Sequence, residues 1–161
     1  MKKNSDSGGS LTHTDKSGRA RMVDVGGKEI LSRIAIASGF IELAESTIKA
    51  VNDNTLHKGD VLAVAQIAGV QAAKQTPALI PLCHTLLLDK VAITFEIDKR
   101  GIKVECTVQC HGKTGVEMEA LTGTSVALLT IYDMCKAIDK KMIIADIALL
   151  MKEKKEISNG K

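Results

Sequence analysis

A chain of 161 residues is long enough for one domain with a full core and too short for two ordinary ones. Its composition is globular, at 45% apolar, but only 2% of it is aromatic, which argues against a platform for stacking nucleobases. A net charge of +3 is too small for a DNA-binding surface, and no apolar run exceeds five residues, so nothing is expected to span a membrane.

Phe40, Phe95 and Tyr132 are the whole aromatic set, so the core must be built from Ile, Val, Leu, Ala and Met. The start Met1-Lys2-Lys3 leads into polar residues with no apolar stretch, so no signal peptide is visible. Four cysteines without a regular framework suit a reducing compartment, with the cytoplasm as the default. Residues 1–10, rich in Ser, Gly and Lys, read as a disordered tail, residues 11–152 as a single catalytic domain, and residues 153–161 as a flexible tail.

Met22-Val23-Asp24-Val25 is a strand-like run broken by Gly26-Gly27. Over residues 30–37, Ile30, Ile34 and Ile36 share one parity, which predicts a strand. Ser38 can cap a helix through Val51, with Ile41, Ala44, Ile48 and Val51 at helical spacing. Asp60 can cap the next, along which Val61, Val64, Ala65, Ala68 and Ala72 form a stripe of small residues. Thr76-Pro77 and Pro81 predict an extended loop.

Val91, Ile93, Phe95 and Ile97 then alternate with polar residues, as do Ile102, Val104, Cys106, Val108 and Cys110. The Asp98-Lys99-Arg100-Gly101 joint between them makes this the clearest β-hairpin. A long helix follows to about Lys140, and residues 142–151 read as a final strand. The order β, α, α, β, β, α, β is an α+β sandwich with an antiparallel sheet, a ferredoxin-like βαββαβ with one added helix. One sheet face carries the helices, and the other meets water or a partner subunit.

The chemistry concentrates on residues 112–136. On the long helix Leu121, Thr124, Leu128, Ile131, Cys135 and Ile138 fall on one stripe, with Asp133, Lys136 and Lys140 roughly opposite. Val126 and Leu129 share that second side, so it is only half polar and suits an interface. The bland alternative for Asp133 and Lys136 is an i,i+3 surface salt bridge worth a few tenths of a kcal/mol. Gly112-Lys113-Thr114 tempts toward a phosphate loop, but that motif needs a glycine where Thr107 stands, so it is rejected. Cys106, Cys110, His111 and Cys83-His84 raise zinc. However, no C-x₂-C pair exists, and Cys106 and Cys110 share the apolar parity of their strand. His84, after a proline-braced loop, is either a loop histidine or a general acid/base. Lys28, Arg33, Lys58 and Lys74 each read as solvated cations unless they converge on polyphosphate.

Taken together, these segments closely resemble the cyclic pyranopterin monophosphate synthases, the molybdenum cofactor biosynthesis protein C family. The motifs are His57-Lys58-Gly59-Asp60, Leu79-Ile80-Pro81-Leu82-Cys83-His84, Gly112-Lys113-Thr114-Gly115-Val116-Glu117-Met118-Glu119-Ala120 and Ile131-Tyr132-Asp133-Met134-Cys135-Lys136. The resemblance runs from Leu11-Thr12-His13 to about Lys152. It implies a ferredoxin-like fold, a homohexamer built as a trimer of dimers, and active sites at subunit interfaces. It also implies conversion of 3′,8-cyclo-7,8-dihydro-GTP, made by a radical-SAM GTP cyclase, into cyclic pyranopterin monophosphate with loss of diphosphate.

By the same resemblance Asp133 is the expected catalytic residue, with Lys58 and Lys136 as acid/base groups. Leu82, Cys83, His84, Glu117, Met118 and Glu119 would line the substrate site, and Lys28 and Arg33 would contact the triphosphate. No redox cofactor and no protein-bound metal are expected, and Mg2+ riding on the phosphates is left open. Two features depart from the family: Thr85 follows the loop histidine where proline is usual, and the end of the chain reads Lys152-Glu153-Lys154-Lys155-Glu156 instead of a Gly/Ser-rich basic stretch.

Overall fold

The computed structural model describes residues 18–157. The N-terminal tail expected over residues 1–10, and Leu11-Thr12-His13, lie outside the described residues. The elements run β1 (Leu31–Glu42), α1 (Glu45–Asn52), α2 (Val61–Lys74), α3 (Thr76–Leu79), β2 (Leu88–Ile97), β3 (Gly101–Gly112), α4 (Glu117–Cys135) and β4 (Ile143–Lys155). All strand pairs are antiparallel and the sheet order is β2-β3-β1-β4. This is the ferredoxin-like α+β arrangement expected from the sequence, with α2 and α4 packed together against the sheet and α1 and the one-turn α3 as additions.

The hairpin forms as its alternation predicts. Val104, Cys106, Val108 and Cys110 are buried, and the Asp98 carboxylate closes the turn by accepting the N–H groups of Arg100 and Gly101, at 2.7 and 3.1 Å. Asp60 caps α2 by accepting the Ala63 N–H at 3.0 Å, which satisfies a donor that the helix start leaves free. Glycines set the helix spacing: a Cβ on Gly123 would lie 2.8 Å from the Cys106 sulfur and 3.2 Å from the Gly69 carbonyl. Within the α2 stripe Val61, Ala65 and Ala72 are buried, whereas Val64 is exposed.

Five sequence expectations are corrected. Ser38 caps no helix; it lies inside β1, laddered to both β3 and β4, and Ile41 at the expected helix start is a core strand residue. The strand read over residues 30–37 does form within β1, the parity of Ile34 and Ile36 marking the sheet face away from the helices while Ala35, Ala37 and Ile41 fill the core. Residues 76–79 make a helical turn instead of an extended loop, because Pro77 sits where a first turn needs no N–H donor. Met22-Val23-Asp24-Val25 pairs into no strand; a turn follows, with the Lys28 N–H on the Val25 carbonyl and the Gly26 N–H on the Asp24 carboxylate.

The long helix, finally, stops at Cys135, five residues before Lys140. There Asp139 turns back and its buried carboxylate accepts the N–H groups of Ala44 and Lys141, so Ile138 leaves the core stripe and is exposed. β4 also outruns the strand read from residues 142–151. It continues to Lys155 because Lys152, Glu153, Lys154 and Lys155 ladder against Ala35, Ile34, Arg33 and Ser32.

Candidate active site

The functional groups gather at the two ends of α4. At its C-terminal end the Asp133 carboxylate is held from two sides. Lys136, one turn on, places its Nζ 2.5 Å from Oδ1, and Lys58 places its Nζ 2.8 Å from Oδ2 and 2.9 Å from the Asp133 carbonyl oxygen. The i,i+3 pair was visible in the sequence. That Lys58, from the turn before α2, bonds the same carboxylate was not. Gly59 adopts φ +89°, a left-handed conformation that suits glycine, and lets the chain turn from Lys58 into the cap of α2.

The cluster remains open to solvent, with about half of each side chain exposed. The hydrogen bonds from Lys136 and then Lys58, with their charges, lower the Asp133 pKa from 3.8 to about 2. Asp133 in turn raises the Lys136 pKa, first through the hydrogen bond and then through its charge. The signs follow. The depressed carboxylate favours the folded state above pH 3.8, an advantage lost as the pH falls toward about 2. The raised ammonium favours the folded state below pH 10.5, an advantage lost as the pH climbs through the raised value. A carbon-13 titration of the Asp133 carboxyl should have its midpoint near pH 2, moving back toward 3.8 in Lys136→Ala. An unmoved midpoint in that variant would contradict the pairing.

At the other end of α4 lies a cleft of about 320 Å³. One wall is the irregular segment of residues 22–28, which contributes Val23, Val25 and Lys28. The loop after α3 supplies Leu82, Cys83 and His84, and the start of α4 supplies Glu117, Met118 and Glu119. The His84 Nε2 lies 2.8 Å from the Val23 carbonyl; a carbonyl only accepts, so Nε2 carries the proton of that bond. Glu119 is only 3% exposed, and burial raises its carboxyl pKa against the pull of its own backbone N–H. Burial, and then the charge of Glu119, also pushes the Cys83 thiol up.

A second hollow of about 360 Å³ adjoins the cleft through Gly115 and Glu117. Arg33, Lys152 and Lys154 line it. Arg33 donates to the carbonyls of Gly112 and Lys113, both at 3.3 Å, and Lys152 lies 3.4 Å from Glu117. Lys154 is the residue the sequence left in a tail; the antiparallel register of β4 sets it directly across from Arg33. Cations thus converge beside two carboxylates. Among the described residues no group of three or more His, Cys, Asp or Glu side chains could hold a metal ion, and Cys106 and Cys110 sit in the core beneath the helices.

The two ends do not meet within one chain. Glu119 and Asp133 are separated by about 21 Å of helix rise, and Lys58 joins Asp133 while His84 joins Glu119. Large apolar side chains stand exposed on the helices between them: Ile67 on α2 is 71% exposed and Leu129 on α4 is 58%. No helix among the described residues is long and apolar enough to cross a membrane, so a bilayer-spanning helix does not explain those side chains.

A carboxylate clamped by two ammonium groups, with a separate cation-lined hollow, is an arrangement able to exchange protons with an anionic small molecule. The chain belongs to the MoaC family, whose model matches residues 22–155. It is similar to the cyclic pyranopterin monophosphate synthase of Desulfitobacterium hafniense, at 55% identity over 143 residues, 88% of each chain. Proteins of that name from Peptoclostridium acidaminophilum and Chloroflexus aurantiacus are 50% and 53% identical, each over 88% of this chain and 90% and 88% of their own.

Proposed function

We propose that the protein is a lyase of molybdenum cofactor biosynthesis. It converts 3′,8-cyclo-7,8-dihydro-GTP, supplied by a radical-SAM GTP cyclase, into cyclic pyranopterin monophosphate and releases diphosphate. The observation that carries this reading is the carboxylate of Asp133 bonded to lysines from two distant segments, in a chain 50% or more identical to relatives of that name. Opening the purine and reclosing it as a pterin requires repeated proton transfers. Asp133 keeps Lys136 in its protonated, proton-bearing form; Lys58 is the second acid/base group, and Asp133 orients both.

The cyclic phosphate forms when a substrate hydroxyl oxygen attacks phosphorus and the bond to diphosphate breaks. The hydroxyl proton passes to a base and no electron acceptor is consumed. Lys28 and Arg33 hold the triphosphate and offset the charge that develops on the departing diphosphate. Leu82, Cys83, His84, Glu117, Met118 and Glu119 line the place of the ring system.

A catalytic group must come within about 3 Å of the reacting atoms, and the distance along α4 keeps Asp133 from the cleft of its own chain. The cluster of one subunit therefore faces the cleft of another. The assembly is a homohexamer, a trimer of dimers, in the cytoplasm, and the exposed Ile67 and Leu129 on the helices support such packing. The test is turnover of the cyclised GTP intermediate, with products identified by mass. One cyclic pyranopterin monophosphate and one diphosphate per substrate are expected, whereas tight binding without conversion leaves a regulatory GTP-binding module instead. Repeating the assay with a magnesium chelator decides whether Mg2+ accompanies the phosphates.

A further inference from the structure

Residues 22–28 form one wall of the cleft but belong to no strand or helix. Val23 and Val25 face inward, half-buried, while Met22 and Asp24 are exposed, so the segment is extended without a ladder. Two side chains from elsewhere reach its backbone. His84 bonds the Val23 carbonyl, and the Lys113 ammonium bonds the Gly26 carbonyl at 2.6 Å. Lys113 is itself steadied, because its own carbonyl accepts from Arg33 at 3.3 Å. The carbonyl that Lys113 grips lies between the two hydrogen-bonded amides of the turn leading to Lys28, the N–H of Gly26 on Asp24 and of Lys28 on Val25.

We propose that Lys113 is a positioning residue that, together with His84, holds residues 22–28 as a strap along the cleft and so sets Lys28 against the ligand. A lysine in a glycine-flanked turn invites the reading of a phosphate ligand. Here the ammonium is spent on a backbone carbonyl, a charge-assisted bond that fixes the strap without touching substrate. The strap also explains how a wall with no ladder keeps a defined shape.

The test uses the full chain and the variants Lys113→Met, which keeps the stem and loses the donors, and Lys113→Arg, which restores a donor. Hydrogen exchange at the Gly26 and Lys28 amides should quicken about tenfold in Lys113→Met, with the β1 and β3 amides unchanged and the arginine variant near wild type. The second readout rests on the proposed reaction: KM for the cyclised GTP intermediate should rise about tenfold in Lys113→Met while kcat stays within about twofold. Unchanged exchange with a raised KM would make Lys113 a direct ligand and overturn the strap, and so would faster exchange with an unchanged KM. If the wild-type protein turns nothing over, the reaction is lost as a reading, while exchange still decides whether Lys113 holds the segment.

Discussion

Replacing Asp133 by asparagine should lower turnover of the cyclised GTP intermediate about a thousandfold or more, the scale of a lost acid–base group, and move the denaturation midpoint little. The amide matches the carboxylate in shape but carries no charge, so both lysines lose the partner that orients them. Lys136 also loses the hydrogen bond and charge that raise its pKa, and its proton becomes easier to lose. Folding should change little, because Asp133 stands half exposed on the last turn of α4, where solvent screens its ion pairs, and it supports no core residue. Lys136→Ala should behave the same way and also release the Asp133 pKa upward from about 2. Turnover near the wild-type rate in either variant would remove Asp133 and Lys136 from the chemistry.

What the sequence made legible follows the range of the forces involved. The β2–β3 hairpin is local: alternation, an Asp-to-Gly turn and short separation all agree, and it forms as read. The same holds for the Asp60 cap and for the wheel of α4, which put Thr124, Leu128, Ile131 and Cys135 inward and Asp133 outward. The errors arise where two periodicities coexist or where a distant group intervenes. Ile41 and Ile48 fit helical spacing, yet Ile41 belongs to a strand laddered on both sides, and that double ladder overrides the cap offered by Ser38. The end of α4 is set by Asp139 bonding back to Ala44, a contact across 95 residues that no window reveals.

The site divides in the same way. Asp133 and Lys136 are neighbours on a helix, so spacing alone pairs them, whereas Lys58 arrives from 75 residues away. The family motifs singled out Lys58 and His84, but nothing in them indicated that the two lie toward opposite ends of α4. Lys154 was lost to a supposed tail because its charge run hides the register that sets it across from Arg33. Lys113 was weighed only as part of a phosphate loop, since its bond to Gly26 depends on the turn between Asp24 and Lys28.

The central claim is that one working site takes its lysine–aspartate cluster from one subunit and its cleft from another. Two inactive variants test it directly: Asp133→Asn, with an intact cleft, and His84→Ala, with an intact cluster. Refolded together in equal amounts, they should recover about a quarter of wild-type turnover, because random assembly puts an unaltered cluster against an unaltered cleft at about one site in four. A mixture no more active than the two variants measured apart would mean that each chain acts alone, and the two-subunit site would be wrong.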